Sequence, residues 1–222
     1  VYDYGDAPDD GVTYEYQTFD GMTEARAMIL EGFYLGDDAP DAESGPATDE
    51  YALGDDQTGT DDEGTGITFY FPMISEGLGI VNVETTIDTA EPTDGYLHAW
   101  IDLDGDGVFE ENEKFINGRA VDSGENFLWF QAPEFNPADL ADGTTYARFI
   151  LSSEQNGVDA YMSEGDADYF GEVEDVKIDL NGVPTIIDEV PAEEEVVLAA
   201  AALAVEAAAA PGEGGQDIDE PL

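Results

Sequence analysis

The chain has no cysteine, one histidine and only five lysines and arginines in 222 residues. Without cysteine there is no disulfide, no thiol nucleophile and no cysteine zinc site. A single histidine excludes histidine clusters. Five basic side chains cannot neutralise a phosphate backbone, so nucleic-acid binding is excluded. The same shortage excludes docking on an anionic membrane surface. The uninterrupted apolar run 196–205 is ten residues long, too short to span a bilayer.

What is there is acid. Fifty-four aspartates and glutamates give a formal net charge of −49. Such a charge suggests disorder, but 42% hydrophobic and 11% aromatic residues are enough for a core. The reading is a folded, very acidic domain whose charge calls for a cationic partner. Metal ions are the first candidates. Millimolar external calcium would fill weak oxygen-ligand sites that cytosolic calcium would leave empty, so an extracellular or cell-surface location is expected.

Residues 1–66 read as loop-like, dense in Asp, Gly, Pro and Tyr. From Gly66 the pattern changes to short β-rich runs at 67–71, 80–87, 96–103, 127–131, 145–152 and 173–180. Asp94-Gly95, Asn117-Gly118, Asp142-Gly143, Asn156-Gly157 and Asn181-Gly182 read as turns between them. Short strands with this punctuation and no βαβ rhythm predict an all-β, antiparallel sandwich. The expected folded domain is 1–183, followed by 184–222 as a linker, an Ala-rich segment and an acidic tail. Residues 192–210 have high helix propensity, with glutamates in the first turn and Pro211-Gly212 as a stop. As a helix they would be about 28 Å long. Docked on another subunit, the same segment could instead be a donated strand.

The sharpest local signal is WIDLDGDGVFEENEKF at 100–115. Asp102, Asp104 and Asp106 fall at positions 1, 3 and 5 of a twelve-residue calcium loop. Gly107 stands at the sharp turn of position 6, the Val108 carbonyl at position 7 and Glu113 at position 12. Hard oxygens at alternate positions can wrap one ion when the backbone coils around it. The alternative is an Asp-Gly hairpin with solvated carboxylates. A strand precedes the loop rather than a helix, so a structural staple is expected rather than a sensor.

With these motifs the chain resembles the GEVED domain family of secreted bacterial and archaeal proteins. The name-giving motif stands at 171–175. DYGDAPD at 3–9, LG at 35–36, DAE at 41–43, GDD at 54–56, GTDDEG at 59–64, HAWIDLDGDGVF at 98–109 and YARFILS at 146–152 follow the family's order. Val176 departs from the tyrosine usual after the motif, and the Ala-rich tail lies outside the pattern. The resemblance implies an extracellular β-sandwich, usually a module of large surface proteins, with no catalytic residues.

The other acidic clusters lie among glycines, which let a backbone turn carbonyls toward an ion. They supply Asp3 and Asp6, Asp41 and Glu43, Asp55 and Asp56, Asp61, Asp62 and Glu63, and Glu172, Glu174 and Asp175. Alternation sends Glu172 and Glu174 to one face and Val173 and Asp175 to the other. The expectation is that the N-terminal loops fold back onto this strand around one or more Ca2+ ions. The competing reading is a solvated acidic surface.

Catalysis is not expected. His98 shares a strand face with Tyr96, Trp100 and Asp102, but no nucleophile-elbow pattern accompanies it. No carboxylate pair is singled out for glycoside hydrolysis. Two functions remain. One is a calcium-stapled structural subunit that assembles with itself, as a calcium-dependent homopolymer, or with other surface proteins into a filament, layer or matrix. The other is an accessory adhesion or glycan-binding module of a larger secreted protein. Each bound calcium would cancel two charges, so even five ions would leave about −39.

Overall fold

The computed structural model describes residues 1–8, 16, 23–37, 39–40, 45, 48, 50–52, 66–73, 78–131, 143–163 and 168–179. All lie within one unit, Val1–Thr185. The Ala-rich segment and acidic tail expected at 184–222 lie outside the described residues.

Twelve strands are described: β1 Tyr2–Tyr4, β2 Thr23–Glu24, β3 Arg26–Met28, β4 Phe33–Leu35, β5 Ile67–Met73, β6 Leu78–Ile87, β7 Gly95–Ile101, β8 Lys114–Val121, β9 Gly124–Gln131, β10 Thr144–Ser152, β11 Met162–Ser163 and β12 Gly171–Asp179. The protein is an antiparallel β-sandwich. One sheet has the order β12-β10-β7-β8. In the other, β6 pairs with β9, and also with β4 and β5 at successive stretches of its length.

The first sheet is covered on both faces because its strands alternate two apolar sets. Leu97, Ala99 and Ile101 with Ala147, Phe149 and Leu151 pack against Phe33, Leu35, Val81, Val83, Leu128 and Phe130 of the second sheet. On the opposite face Trp100, Ile150 and Val173 lie under Ala7, Ala25, Ala27, Phe109, Met162 and Tyr169. That second cover makes β12-β10-β7-β8 a central layer. It therefore buries polar residues, His98 and Arg148 among them, on the side that a two-layer sandwich would leave wet.

Two expectations need correction. Residues 1–66 are not all loop: β1 to β4 are there, and β1 pairs with β3. They escape a reading by period because each is only two or three residues long. Asn117-Gly118 is not a turn between strands. It lies inside β8, where the register with β7 shifts between Leu97 and Ala99. Gly118 has φ +61, the mark of a bulge, and a Cβ there would stand 2.1 Å from the Gln155 carbonyl oxygen.

His98 faces that bulge and is fully buried. Its Nδ1 accepts the Gly118 amide at 3.2 Å and its Nε2 lies 3.0 Å from the Glu154 carbonyl. The ring is thus the neutral tautomer with the proton on Nε2. Burial pushes its pKa down to about 4, helped by Lys114 and opposed by the Glu154 bond and Asp159.

Candidate metal centre

β7 ends at Ile101, and the chain then coils through 102–110 before a single 3-10 turn, Glu111–Glu113, leads into β8. Gly105 at φ +73 and Gly107 at φ +84 make the coil possible. The carboxylates of the loop hold its own amides. Asp102 accepts from Gly105 at 2.6 Å and from Gly107 at 3.0 Å. Asp104 accepts from Asp106 at 3.2 Å, and Asp106 from Val108 at 3.0 Å. The 3-10 turn swings Glu113 back, so that its Oε1 accepts the Leu103 amide at 2.7 Å.

The result is convergence. Carboxylate oxygens of Asp102, Asp104 and Asp106 lie within 4.8 Å of one another, and so do those of Asp104, Glu110 and Glu113. Asp104 belongs to both sets. Asp102 and Glu113 are buried, whereas Asp104 and Asp106 are exposed at the mouth. Glu110 stands at position nine of the loop, which the same spacing rule assigns to a ligand or its water. It is the residue the sequence reading missed.

The electrostatics of the bare loop are unfavourable. Burial drives the Glu113 carboxyl up to about 7, against the bonds from the Leu103 and Glu110 amides, and the Asp102 and Glu110 charges add to the rise. Asp106 is raised by burial and then by Asp104, and Glu110 by burial and then by Asp106. Among the described residues no lysine or arginine pairs with any of the five. The ion pairs belong to Arg26, Arg148 and Lys177. Hard oxygens in a twelve-residue coil, without an internal counter-charge, fit a divalent cation such as calcium.

The acids of the other motifs have different surroundings. Asp175 receives Arg148 through two nitrogens and also accepts the amides of Asp6 and Ala7 at 3.0 and 2.9 Å. Asp3 accepts the Val173 amide at 2.6 Å, and Glu172 accepts the Leu35 amide. Glu172 and Glu174 lie on the face shared with Leu151 and Phe149, their register partners, and Val173 and Asp175 on the other. The N-terminal chain does fold back onto β12, and the visible ties are carboxylate to backbone amide. Asp3, Asp6, Glu172, Glu174 and Asp175 are not in either converging set. Asp41, Glu43, Asp55, Asp56, Asp61, Asp62 and Glu63 lie outside the described residues.

Gly5 explains one motif. A Cβ there would stand 2.6 Å from Asp175 Oδ2 and 3.0 Å from Arg148 Nη2. Only glycine lets the chain pass so close to the pair.

Residues 96–179 match the family model of the GEVED domain. That range holds the calcium-type loop, β10 and the GEVED strand, and stops short of the N-terminal motifs. No curated protein and no solved structure gives a significant match.

Proposed function

Starting from a chain that carries a GEVED domain at 96–179, we propose a non-catalytic, calcium-binding structural protein of the cell exterior, whose subunits assemble with one another. The observation that carries the calcium part is the convergence of Asp102, Asp104 and Asp106, and of Asp104, Glu110 and Glu113, just after β7. Asp102, Asp104 and Asp106 would hold the ion with Glu110, Glu113 and the Val108 carbonyl. A cation there supplies no chemistry for a substrate. It offsets the repulsion among these carboxylates and fixes the β7–β8 connection. The sole histidine supports a non-catalytic role, since both its ring nitrogens serve backbone groups.

The assembly part rests on charge. Copies carrying −49 repel one another until cations screen them. Calorimetric titration of calcium tests binding, and size-exclusion chromatography with calcium or chelator tests assembly. The proposal expects high-mass species only with calcium. If protein cut after Val183 still assembles with calcium, the tail is not the connector.

One observation favours a second reading, an accessory glycan-binding or adhesion module. Phe127 and Trp129 project from the same face of β9 and remain 57% and 59% exposed. Their register partners Asn82 and Ile80 stand two residues apart on β6. Aromatic faces beside an amide are suited to stacking on sugars. Glycan arrays probed with the wild type and Trp129→Ala separate the two. Trp129-dependent binding by a calcium-loaded monomer selects the module.

A further inference from the structure

Tyr16, in the N-terminal chain, hydrogen-bonds to loop 102–113 at both Asp102 and Gly107. It is buried, with φ +55, a left-handed conformation that bulky residues rarely adopt. Every polar group it has is engaged. Its hydroxyl donates to Asp102 Oδ2 at 2.7 Å, its amide donates to the Gly107 carbonyl, and its carbonyl accepts from Arg148 Nη1 at 3.4 Å. Its ring lies 5.0 Å from both Phe109 and Tyr146, centre to centre. A strained backbone persists only where its surroundings over-determine it, and strain of this kind marks sites with a task.

The contacts continue beyond Tyr16. Asp102 joins Tyr16, Tyr16 joins Arg148, Arg148 joins Asp175, and Asp175 holds the amides of Asp6 and Ala7. Asp102 already accepts three hydrogen bonds, from Tyr16, Gly105 and Gly107, of the roughly four its carboxylate can take. One direction is left for a cation, and Tyr16 helps decide which.

We infer that Tyr16 is a positioning residue that couples cation loading of loop 102–113 to docking of the N-terminal chain on the central sheet. This rests on the reading of the loop as a calcium site. Coupling is reciprocal: if docked Tyr16 favours the cation, the cation favours the docked chain by the same factor.

The test uses the full chain. Calcium is titrated into the wild type and Tyr16→Phe, and amide exchange at Asp6 and Ala7 is followed with calcium and with chelator. Phenylalanine keeps the ring between Phe109 and Tyr146 and removes only the hydroxyl. The wild type should show slower exchange at both amides with calcium. Tyr16→Phe should bind calcium about three- to tenfold more weakly, the weight of one net hydrogen bond, and calcium should no longer slow the two amides. A purely structural tyrosine would lower protection equally in calcium and chelator and leave affinity untouched, and that result overturns the inference. If Tyr16→Phe does not fold, the wild type decides: exchange at Asp6 and Ala7 that ignores calcium overturns it as well. A wild type that binds no calcium removes the metal reading and the coupling together. Normal binding with an inert Tyr16→Phe removes the coupling alone.

Discussion

Arg148 grips Asp175 with two nitrogens, Nε to Oδ1 and Nη2 to Oδ2, each at 2.7 Å, and neither side chain is exposed to solvent. The pair sits where the face of β10 and β12 meets the N-terminal chain. Arg148 Nη1 also donates to the Ala160 carbonyl at 2.9 Å. The pair is thus a junction of β10 and β12 with two chain segments, Asp6–Ala7 through Asp175 and Ala160 through Arg148, and Asp175 is no surface acid.

Removing one partner leaves the other as a buried, uncompensated charge. Asp175→Asn or Arg148→Met should each cost about 3–5 kcal/mol. For a unit of this size that is a fall in melting temperature of about 2–4 °C per kcal/mol. The double variant Arg148→Met with Asp175→Asn should cost less than the sum of the two single changes, because no charge is stranded and the asparagine oxygen can still accept an amide of Asp6 or Ala7. Calorimetric melting of all three checks this, and additive losses would show that the two residues act separately.

How much of this was legible follows from range. Loop 102–113 could be read because its ligands alternate within twelve residues. The runs at 96–103 and 145–152 could be read because apolar residues recur on both faces of one sheet. β8 could not, since KFINGRAV has weak strand formers and an Asn-Gly pair, and its pairing with β7 overrides both. Tyr16 and Arg148 left little local trace. The hydroxyl of Tyr16 finds its acceptor 86 residues away, and the guanidinium of Arg148 finds Asp175 27 residues away. A lone cation inside the apolar run of β10 was the only hint for Arg148, and nothing nearby pointed to Tyr16.

The His98 ring makes stability depend on pH. Its folded pKa of about 4 lies below the ordinary histidine value of 6.5. The neutral ring therefore contributes its full stability above pH 6.5. That contribution is lost as pH falls from 6.5 toward 4, because the unfolded chain takes the proton first. The loss is about 1.4 kcal/mol per unit, or about 3 kcal/mol across the window. His98→Gln can still donate to Glu154 and accept from Gly118. The stability difference between wild type and His98→Gln, from urea unfolding at pH 7 and pH 4.5, should move in favour of the glutamine on acidification. A constant difference would contradict the assignment.

The bulge in β8 should tolerate no side chain. Gly118→Ala carries the left-handed backbone cost of about 1–3 kcal/mol and in addition drives a methyl into the Gln155 carbonyl. Gly157, at φ +78, has nothing within 4 Å of a Cβ, so Gly157→Ala carries strain without the clash. Urea midpoints should place Gly118→Ala well below Gly157→Ala. Equal midpoints would mean that the Gln155 segment yields.

The proposed calcium site in loop 102–113 can be tested without disturbing the core. Asp104 and Asp106 are exposed, so replacing both with alanine removes two candidate ligands and two exposed turn bonds, from the Asp106 and Val108 amides, but no core contact. It also removes two charges that, after burial, raise the Glu110 carboxyl. In chelator the relief of charge and the loss of two exposed turn bonds oppose each other, so the double variant should melt close to the wild type. In calcium the two should part. A ligand at a hundred times its dissociation constant stabilises the folded state by about 2.7 kcal/mol, and the wild type should gain a rise in melting temperature that the variant lacks. Glu110→Gln should give a smaller loss, since it changes one peripheral oxygen and leaves the aspartates in place. If calcium raises the melting temperature of the double variant as much as that of the wild type, the ion binds elsewhere in this acidic chain and loop 102–113 is only a hairpin.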